Sequence, residues 1–442
     1  MNAAKVVMTE DTYKTGVKWI EKYARAGLEN GYSMFGLVHQ NRVYEIKKIV
    51  PAGSGSERSA ASFSPDTDAI IKELEKEIAG NPNTRYLGDC HSHPWKSEPH
   101  PSSIDTGQLK ATREDRPWSI IGIHSLDDLK FFGLDEDENQ IEIPYQIVPN
   151  SFDENKLLAR IQEITDNEKL KQKKVAILGC GSLSCGLIQS LAGTGLRSFL
   201  LGDMDSFSDV NIVRHIGGIN DLGREKTEII KDYIEAHNPL AYVQTVNDDF
   251  LKNRELLKSV MDWADIVIGS SGNPALNYQI NIQCVKKRKP VVFGGIYDKA
   301  ESAYVFCYNP DEENTACFDC IFGLTSSAID NSTIKRKYGL EDGELKEAQG
   351  MFSDILAPGA MMAKMAIWLM TGETKEFNLV RYYNDLRVKR LNISKSKGCA
   401  TCDYDGWMKT EEEKLKPKDH VIIRQLRTFS EKFSRCLRYD RV

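Results

Sequence analysis

The chain has 442 residues, of which 58 are Lys or Arg, 64 are Asp or Glu and 41% are hydrophobic. This composition is typical of a soluble globular protein of about two or three domains, and it excludes a disordered chain, a collagen and a membrane bundle. The charged residues are scattered, so no basic patch predicts a nucleic-acid partner. No apolar leader or membrane span can be drawn. We therefore expect a cytoplasmic protein whose ten cysteines serve metal or thiol chemistry rather than disulfides.

The first third of the chain alternates helix-like and strand-like segments. Helices are predicted at residues 12–26 and 67–79, and a short one after residue 102. Strands are predicted at residues 32–39, 43–50, 85–93, 118–123, 129–134 and 141–147, and the Gly- and Ser-rich stretch 51–66 is predicted to be a flexible loop. This order predicts a compact α/β domain that ends near residue 150.

A charged helical connector, residues 153–174, is predicted to lead into a second α/β domain. That domain begins with a regular strand, helix and strand at residues 175–178, 183–194 and 198–201. Further strands are predicted at residues 243–245, 266–269 and 291–295, between helical segments, and the apolar stretch 359–370 is predicted to be a buried helix. This pattern predicts a doubly wound sheet.

Two histidines lie at the end of a predicted strand in the first domain. One residue separates His91 from His93, and the two-residue period of a strand places both imidazoles on one face. Asp105 follows a proline-containing loop and could supply a third, carboxylate ligand from the start of a helix. Two His and one carboxylate leave a zinc ion an open position for water, which is the catalytic pattern. The alternative is a pair of surface histidines beside a proline-rich turn.

These residues resemble the JAMM motif of the JAB/MPN metalloproteases, in which Ser-x-x-Asp follows His-x-His after a loop, here of eight residues. The resemblance covers roughly residues 10–150. It implies that the two histidines and Asp105 hold zinc, while Ser102 stabilises the oxyanion formed when an isopeptide or peptide carbonyl is attacked. The family also uses a Glu as general base, and Ser33 stands at that place here. Glu29, four residues earlier, is the acid that could be recruited instead.

A glycine loop follows the first strand of the second domain. Gly179, Gly181 and Ser182 lie where the strand gives way to a helix, so backbone N–H groups and the helix N-terminus are aimed at a phosphate. Asp203, at the end of the next strand, stands where a ribose-binding acid would lie. These features alone suit an NAD-dependent dehydrogenase as well as an ATP-using enzyme.

The next stretch separates these two interpretations. It brings an amide, a guanidinium and an ammonium to the phosphate end of the site, which an adenylating enzyme needs and a hydride-transfer enzyme does not. The residues are Asp203, Asp205, Asn211, Arg214, His215, Gly223, Arg224, Glu225 and Lys226.

This stretch resembles the ThiF/MoeB superfamily, to which ubiquitin-activating enzymes also belong, and the resemblance runs from about residue 154 to residue 372 and on to Cys402. It implies ATP-dependent adenylation of a carboxylate. Asp203 would then bind the ribose, while Asn211, Arg214 and Lys226 would bind the triphosphate. Arg160 lies on the predicted helix before the glycine loop, where the family donates an arginine across a homodimer.

Two Cys-x-x-Cys pairs, Cys317 with Cys320 and Cys399 with Cys402, lie 79 residues apart. Two such pairs can close a tetrahedral thiolate site around a structural zinc ion. The resembling superfamily has a zinc in the matching place.

The sequence departs from the superfamily pattern at two places. Where the family carries an Asp that helps to hold Mg²⁺, this chain has Gly272 and no acid between residues 269 and 273, so Asp203 or Asp205 would have to serve. Activating enzymes that form a thioester keep a Cys after the zinc pair, and residues 321–364 contain none. Cys436, in a basic tail, is the remaining candidate for a thioester.

The sequence therefore predicts an α/β protein with a JAB/MPN-like metalloprotease domain at 1–150 and a Rossmann-like adenylyltransferase domain at 151–442. ATP, Mg²⁺ and Zn²⁺ are the implied cofactors. The implied partner is a ubiquitin-like or sulfur-carrier protein with a C-terminal glycine, which the second domain would adenylate and the first would process or deconjugate.

This pairing of domains resembles bacterial ubiquitin-like conjugation operons, including antiviral ones, in which a conjugating enzyme is a further partner. The alternatives are a sulfur-transfer adenylator for biosynthesis and a degenerate carrier-binding protein without chemistry. A dehydrogenase is a more distant third.

Overall fold

The computed structural model describes residues 4–24, 26–59, 62–93, 98–125, 128–322 and 350–403. The strands are β1 (Lys5–Thr9), β2 (Gly31–Val38), β3 (Val43–Pro51), β4 (Glu57–Arg58), β5 (Phe63–Ser64), β6 (Arg85–Ser92), β7 (Ile121–His124), β8 (Leu129–Leu134), β9 (Gln140–Ile143), β10 (Tyr145–Val148), β11 (Lys174–Leu178), β12 (Ser198–Gly202), β13 (Tyr242–Val246), β14 (Ile266–Gly269), β15 (Val291–Ile296), β16 (Ser302–Tyr308), β17 (Leu379–Tyr383) and β18 (Val388–Leu391).

The α-helices are α1 (Glu10–Ala24), α2 (Thr67–Gly80), α3 (Ser103–Thr112), α4 (Glu154–Leu158), α5 (Asn167–Lys171), α6 (Ser182–Leu191), α7 (Lys226–His237), α8 (Arg254–Trp263), α9 (Pro274–Lys287), α10 (Phe318–Phe322) and α11 (Phe352–Thr371). Short 3-10 helices cover Asp209–Arg214, Ile219–Asp221 and Asp298–Ala300. None of the described helices is long and apolar enough to cross a membrane.

The structure divides into two compact units. The first runs up to Lys174 and adds Ile188–Leu201 and Thr227–Val246. The second takes Val175–Leu187, Gly202–Lys226 and the chain from Asn247 onward. The prediction of a mixed α/β protein is confirmed.

An eight-stranded mixed sheet, in the order β10-β1-β3-β2-β6-β7-β8-β9, forms the centre of the first unit. Alternating apolar residues from its strands, including Val6, Met34, Tyr44 and Leu87, form a core with exposed fractions of 4% or less. Strand β6 is paired with β2 on one side and with β7 on the other. The histidine-bearing end of β6 is therefore fixed by neighbours on both sides.

Parallel strands alternating with helices give the second unit its Rossmann-like character. Strand β14 pairs in parallel with β11 and with β15. In chain order, α6 follows β11, α8 precedes β14, and α9 connects β14 to β15. From β15 the sheet continues through β16, β17 and β18 in antiparallel fashion. Helix α11 packs against α6 at Gly359, where a Cβ atom would lie 2.5 Å from the carbonyl oxygen of Leu183.

The structure differs from several sequence predictions. Strand β1 was not predicted, and the predicted strand 141–147 is two strands, because Pro144 has no N–H to continue a ladder. The predicted loop at 51–66 contains the short β4–β5 hairpin. The predicted helical connector at 153–174 is two short helices, α4 and α5, so Arg160 lies in a turn after α4 and not on a helix.

Candidate functional site

The first cluster of functional side chains lies at the end of β6 and the start of α3. The Nε2 atoms of His91 and His93 lie 3.2 Å apart, and the carboxylate oxygens of Asp105 lie 3.3 Å and 3.7 Å from them. All three residues are buried. Ligand atoms of a tetrahedral zinc site stand about 3.3 Å apart when each metal bond is about 2.0–2.1 Å. The three side chains therefore form a donor set of the right type and spacing for zinc.

Ser102 fixes the orientation of Asp105. The two residues form a capping box at the N-terminus of α3: Asp105 N donates to Ser102 Oγ (3.2 Å), and Ser102 N donates to Asp105 Oδ2 (2.6 Å). Burial alone would raise the pKa of Asp105, but the hydrogen bonds from His91 and from Ser102 outweigh it and hold that pKa well below its usual range. Asp105 is thus ionised, with its carboxylate held by Ser102 and His91.

The register of β2 against β6 relates Glu29 and Ser33 to this cluster. Strand β2 pairs with β6 so that Gly31 is opposite His91, and Ser92 N donates to Asn30 O one residue further on. Continuing this register places the buried Glu29 opposite His93. Opposed residues of antiparallel strands share a face of the sheet. Ser33 is instead opposite Asp89 and donates a 2.6 Å hydrogen bond to it.

The glycine loop in the second unit joins β11 to α6. Gly179 has a φ of +104°, and a Cβ atom there would lie 2.5 Å from the backbone N of Ser271, so only glycine fits. In the described part of the chain, by contrast, no atom beyond Gly181 and its two neighbours lies within 4 Å of a Cβ position at Gly181. Ser182 begins α6. An open space beside a helix N-terminus is a suitable cradle for phosphate.

Asp203 connects the loop to the end of β12. Its carboxylate accepts hydrogen bonds from Cys180 N (2.6 Å) and from Asp205 N (2.9 Å). A carboxylate has about four lone-pair positions, so two remain for ribose hydroxyls. These two hydrogen bonds fix the orientation of the Asp203 carboxylate.

The phosphate-side residues lie on the same unit. Lys226, at the start of α7 and 9% exposed, places its Nζ 2.9 Å from Asp205 Oδ2. The side-chain oxygen of Asn211 accepts hydrogen bonds from the N and Oγ of Ser208, so its NH₂ end points away from Ser208. Arg214 ends the 3-10 helix that contains Asn211 and is half-buried. Asn211, Arg214 and Lys226 thus belong to the same compact unit as the glycine loop.

Two residues to which sequence reasoning gave no role also contact the glycine loop. His215 Nε2 donates to Cys180 O (3.0 Å), and Ser270 Oγ donates to Gly179 O (2.6 Å). His215 directly follows Arg214, and this position in the motif is the sequence signal that could have pointed to a role for it. Ser270 lies in the segment where an Asp was expected, and the structure shows that this segment supports the loop through a hydroxyl.

The four paired cysteines come together in the second unit. Their sulfur atoms lie 3.8 Å apart for Cys317 and Cys320, 3.6 Å for Cys317 and Cys399, and 3.4 Å for Cys320 and Cys402. A disulfide requires about 2.05 Å, whereas a zinc tetrahedron with bonds of about 2.3 Å has edges of about 3.8 Å. The donor set therefore fits one zinc ion.

Two predicted features, the thioester cysteine and the cross-dimer arginine, are not part of the clusters described above. The tail around Cys436 and most of the segment after the first cysteine pair are outside the described residues. Arg160 is exposed.

Comparison with known proteins establishes the family. The model described as "ThiF family" matches residues 152–401, which is more than half of the chain. The chain belongs to the ThiF family.

Individual relatives are more distant. The molybdopterin-synthase adenylyltransferase of Escherichia coli K12 is 24% identical over 270 residues, 60% of this chain and 97% of that protein. The ubiquitin-like modifier-activating enzyme 5 of Caenorhabditis elegans is 25% identical over 230 residues, 50% of this chain and 53% of that protein. The crystal structure of E. coli MccB matches with a TM-score of 0.47 and 22% identity, covering 58% of this chain and 75% of that one.

Proposed function

We propose that this chain uses ATP to adenylate the C-terminal glycine of a ubiquitin-like or sulfur-carrier protein through residues 151–442. The observation that carries the proposal is that a ThiF-family chain places the glycine loop, held by Asp203, in the same compact unit as Asn211, Arg214 and Lys226. The names of the relatives, a molybdopterin-synthase adenylyltransferase and a ubiquitin-like modifier-activating enzyme, support this substrate class.

In the proposed reaction a carboxylate oxygen of the carrier attacks the α-phosphorus of ATP. The bond from that phosphorus to the pyrophosphate oxygen breaks, which yields an acyl adenylate and pyrophosphate. Lys226 and Arg214 place positive charge where the leaving group gains negative charge, and Asp203 holds the ribose. Mg²⁺ bound by Asp203 or Asp205 would supply further charge neutralisation. A thiol, sulfide or amine of a partner then displaces AMP from the acyl carbon.

Homodimerisation is part of the proposal, because Arg160 would act in the site of a second copy. Two large apolar side chains near Asn211 and Arg214 are exposed, Val213 by 74% and Ile219 by 71%, and a second copy of the chain could cover them. Large apolar side chains at this exposure favour association. Sedimentation of the full chain at micromolar concentration should therefore give a dimer, and a strictly monomeric chain would contradict this part.

ATP–pyrophosphate exchange tests the adenylation. We expect exchange with Mg-ATP and a Gly-Gly-ended carrier, and none with the same carrier lacking its last two residues. Exchange that ignores the carrier terminus would exclude the proposed substrate. Absence of exchange together with tight NAD binding would favour the dehydrogenase interpretation. ATP binding without exchange on any carrier would favour a degenerate binding protein. Exchange followed by transfer to sulfide or to an amine distinguishes the sulfur-transfer from the conjugation pathway.

A second function is proposed for residues 1–150, on the specific observation that His91, His93 and Asp105 converge. We propose that this region is a JAB/MPN-like metalloprotease that processes or deconjugates the same carrier. Zinc bound to the three side chains would supply a Lewis acid for the attacking water and for the scissile carbonyl. Glu29, opposite His93, would accept the proton of that water. Ser102, whose Oγ accepts from Asp105 N, would stabilise the oxyanion through its hydroxyl group.

Cleavage of a carrier–protein fusion tests this second function. We expect the zinc-loaded chain to release the carrier by cleavage after its terminal glycine. Asp105→Asn should lose this cleavage together with the zinc ion at His91 and His93. Complete zinc loading without cleavage of any carrier fusion would reduce this region to a binding module.

A further inference from the structure

Three consecutive carbonyl groups of the glycine loop are each held by a donor from a side chain. Ser270 Oγ donates to Gly179 O (2.6 Å), His215 Nε2 to Cys180 O (3.0 Å) and Ser184 Oγ to Gly181 O (2.6 Å). Of the three donors, only His215 comes from the segment that also carries Asn211 and Arg214. His215 therefore connects the phosphate-side segment to the loop.

A trans peptide bond links the direction of a carbonyl to the next amide. Because the unit is planar, the C=O of one residue and the N–H of the following residue point in opposite directions. A donor that fixes Cys180 O consequently fixes the N–H of Gly181, which must point away from His215. Gly181 is the loop residue beside which the structure leaves open space.

Both ring nitrogens of His215 have assigned roles. Nδ1 accepts a hydrogen bond from Gly217 N (3.1 Å), so the ring proton resides on Nε2 and is donated to Cys180 O. The side chain is buried and its ring packs on Phe207, with ring centroids 5.1 Å apart. This arrangement requires the neutral imidazole, since a protonated Nδ1 could not accept from Gly217.

We propose that His215 is a positioning residue for adenylation, and that it orients the Gly181 N–H toward a phosphate of ATP. This role rests on the proposed function, because it presupposes a nucleotide in the loop. Protonation of Nδ1 would break the hydrogen bond from Gly217 N that holds the ring in place, so nucleotide affinity should depend on the protonation state of His215.

The direction of the pH dependence follows from the surroundings of the ring. Burial lowers the pKa of His215, the Cys180 carbonyl opposes that change, and nearby Lys226 favours the neutral form. Asp203 and Asp221 also face the ring and act in the opposite sense. The neutral ring is therefore retained down to below the ordinary histidine value of about 6.5. Affinity for ATP should fall as the pH falls through that lowered pKa.

Calorimetric titration of the full chain with Mg-ATP tests the role. His215→Ala should raise the Kd about 3- to 10-fold, which corresponds to the loss of one neutral hydrogen bond. His215→Gln can donate through Nε2 and accept through Oε1, so its Kd at pH 7.5 should stay within about twofold of the unsubstituted value. The control is His237→Ala, which removes an exposed histidine at the end of α7.

The pH profile separates positioning from a merely structural role. Between pH 7.5 and pH 5.5 the unsubstituted chain should lose more affinity for Mg-ATP than His215→Gln does, because the amide does not titrate. Equal profiles, or an unchanged Kd in His215→Ala, would overturn the inference. If the unsubstituted chain binds Mg-ATP and supports exchange while His215→Ala matches it, only the positioning role fails. If the unsubstituted chain does neither, the proposed function fails with it.

Discussion

Replacement of Lys226 by alanine should damage catalysis far more than stability. The Lys226 side chain is 11% exposed and its Nζ lies 2.9 Å from Asp205 Oδ2, but the Asp205 side chain is 59% exposed. An ion pair with one solvated partner contributes about 0–1 kcal/mol, so the free energy of unfolding should fall by no more than that. A charged hydrogen bond to a phosphate contributes about 1.5–3 kcal/mol, which corresponds to about a 10- to 150-fold loss of kcat/KM for ATP.

The assay is ATP–pyrophosphate exchange at saturating carrier, combined with thermal unfolding of the same preparation. Lys231→Ala is the matched control, because Lys231 lies one turn further along α7 and its Nζ is 3.6 Å from a Glu228 oxygen in a partly exposed pair. The control should exchange within about twofold of the unsubstituted chain, as expected for a surface substitution. Unimpaired exchange in Lys226→Ala would refute the assigned role. A collapse of thermal stability would show that the lysine is structural.

Three further predictions concern the metal sites and the glycine loop. Cys399→Ser should remove one zinc per chain and lower the melting temperature, whereas Cys307→Ala, outside the cluster, should keep the zinc. Unchanged zinc content of Cys399→Ser by elemental analysis would contradict the tetra-thiolate site. Glu29→Gln should abolish carrier-fusion cleavage with zinc content intact, and retained cleavage would remove Glu29 as the base. Gly179→Ala should cost about 1–3 kcal/mol of stability, because it forces a left-handed alanine against Ser271; an unaffected unfolding curve would show that the loop can move.

The features that sequence predicted best are those set by local patterns. The two Cys-x-x-Cys pairs each fix a sulfur spacing, and the His-x-His spacing places both imidazoles on one face of β6, as the structure shows. The glycine loop and the strand before it were also recognisable, because the positive φ of Gly179 follows from a tight strand-to-helix turn.

The features that sequence missed depend on partners distant in the chain. Strand β1 has only five residues and is defined by its parallel pairing with β3 and with β10, the latter more than 130 residues later. The position of Glu29 depends on how the register between β2 and β6 continues before Gly31, and not on the motif spacing that points to Ser33. His215 acts on a carbonyl 35 residues away. None of these pairings leaves a local signal.

The most direct test of the proposed adenylation is intact mass spectrometry of a Gly-Gly-ended carrier incubated with this chain and Mg-ATP. The pyrophosphate that the reaction releases is hydrolysed enzymatically, so that the reaction is not reversed. We expect a carrier species whose mass is increased by one adenylyl group, absent with Lys226→Ala and absent when the terminal glycines are deleted. A carrier that stays unmodified while the chain binds ATP, across several carriers with free C-terminal glycines, would contradict the central claim.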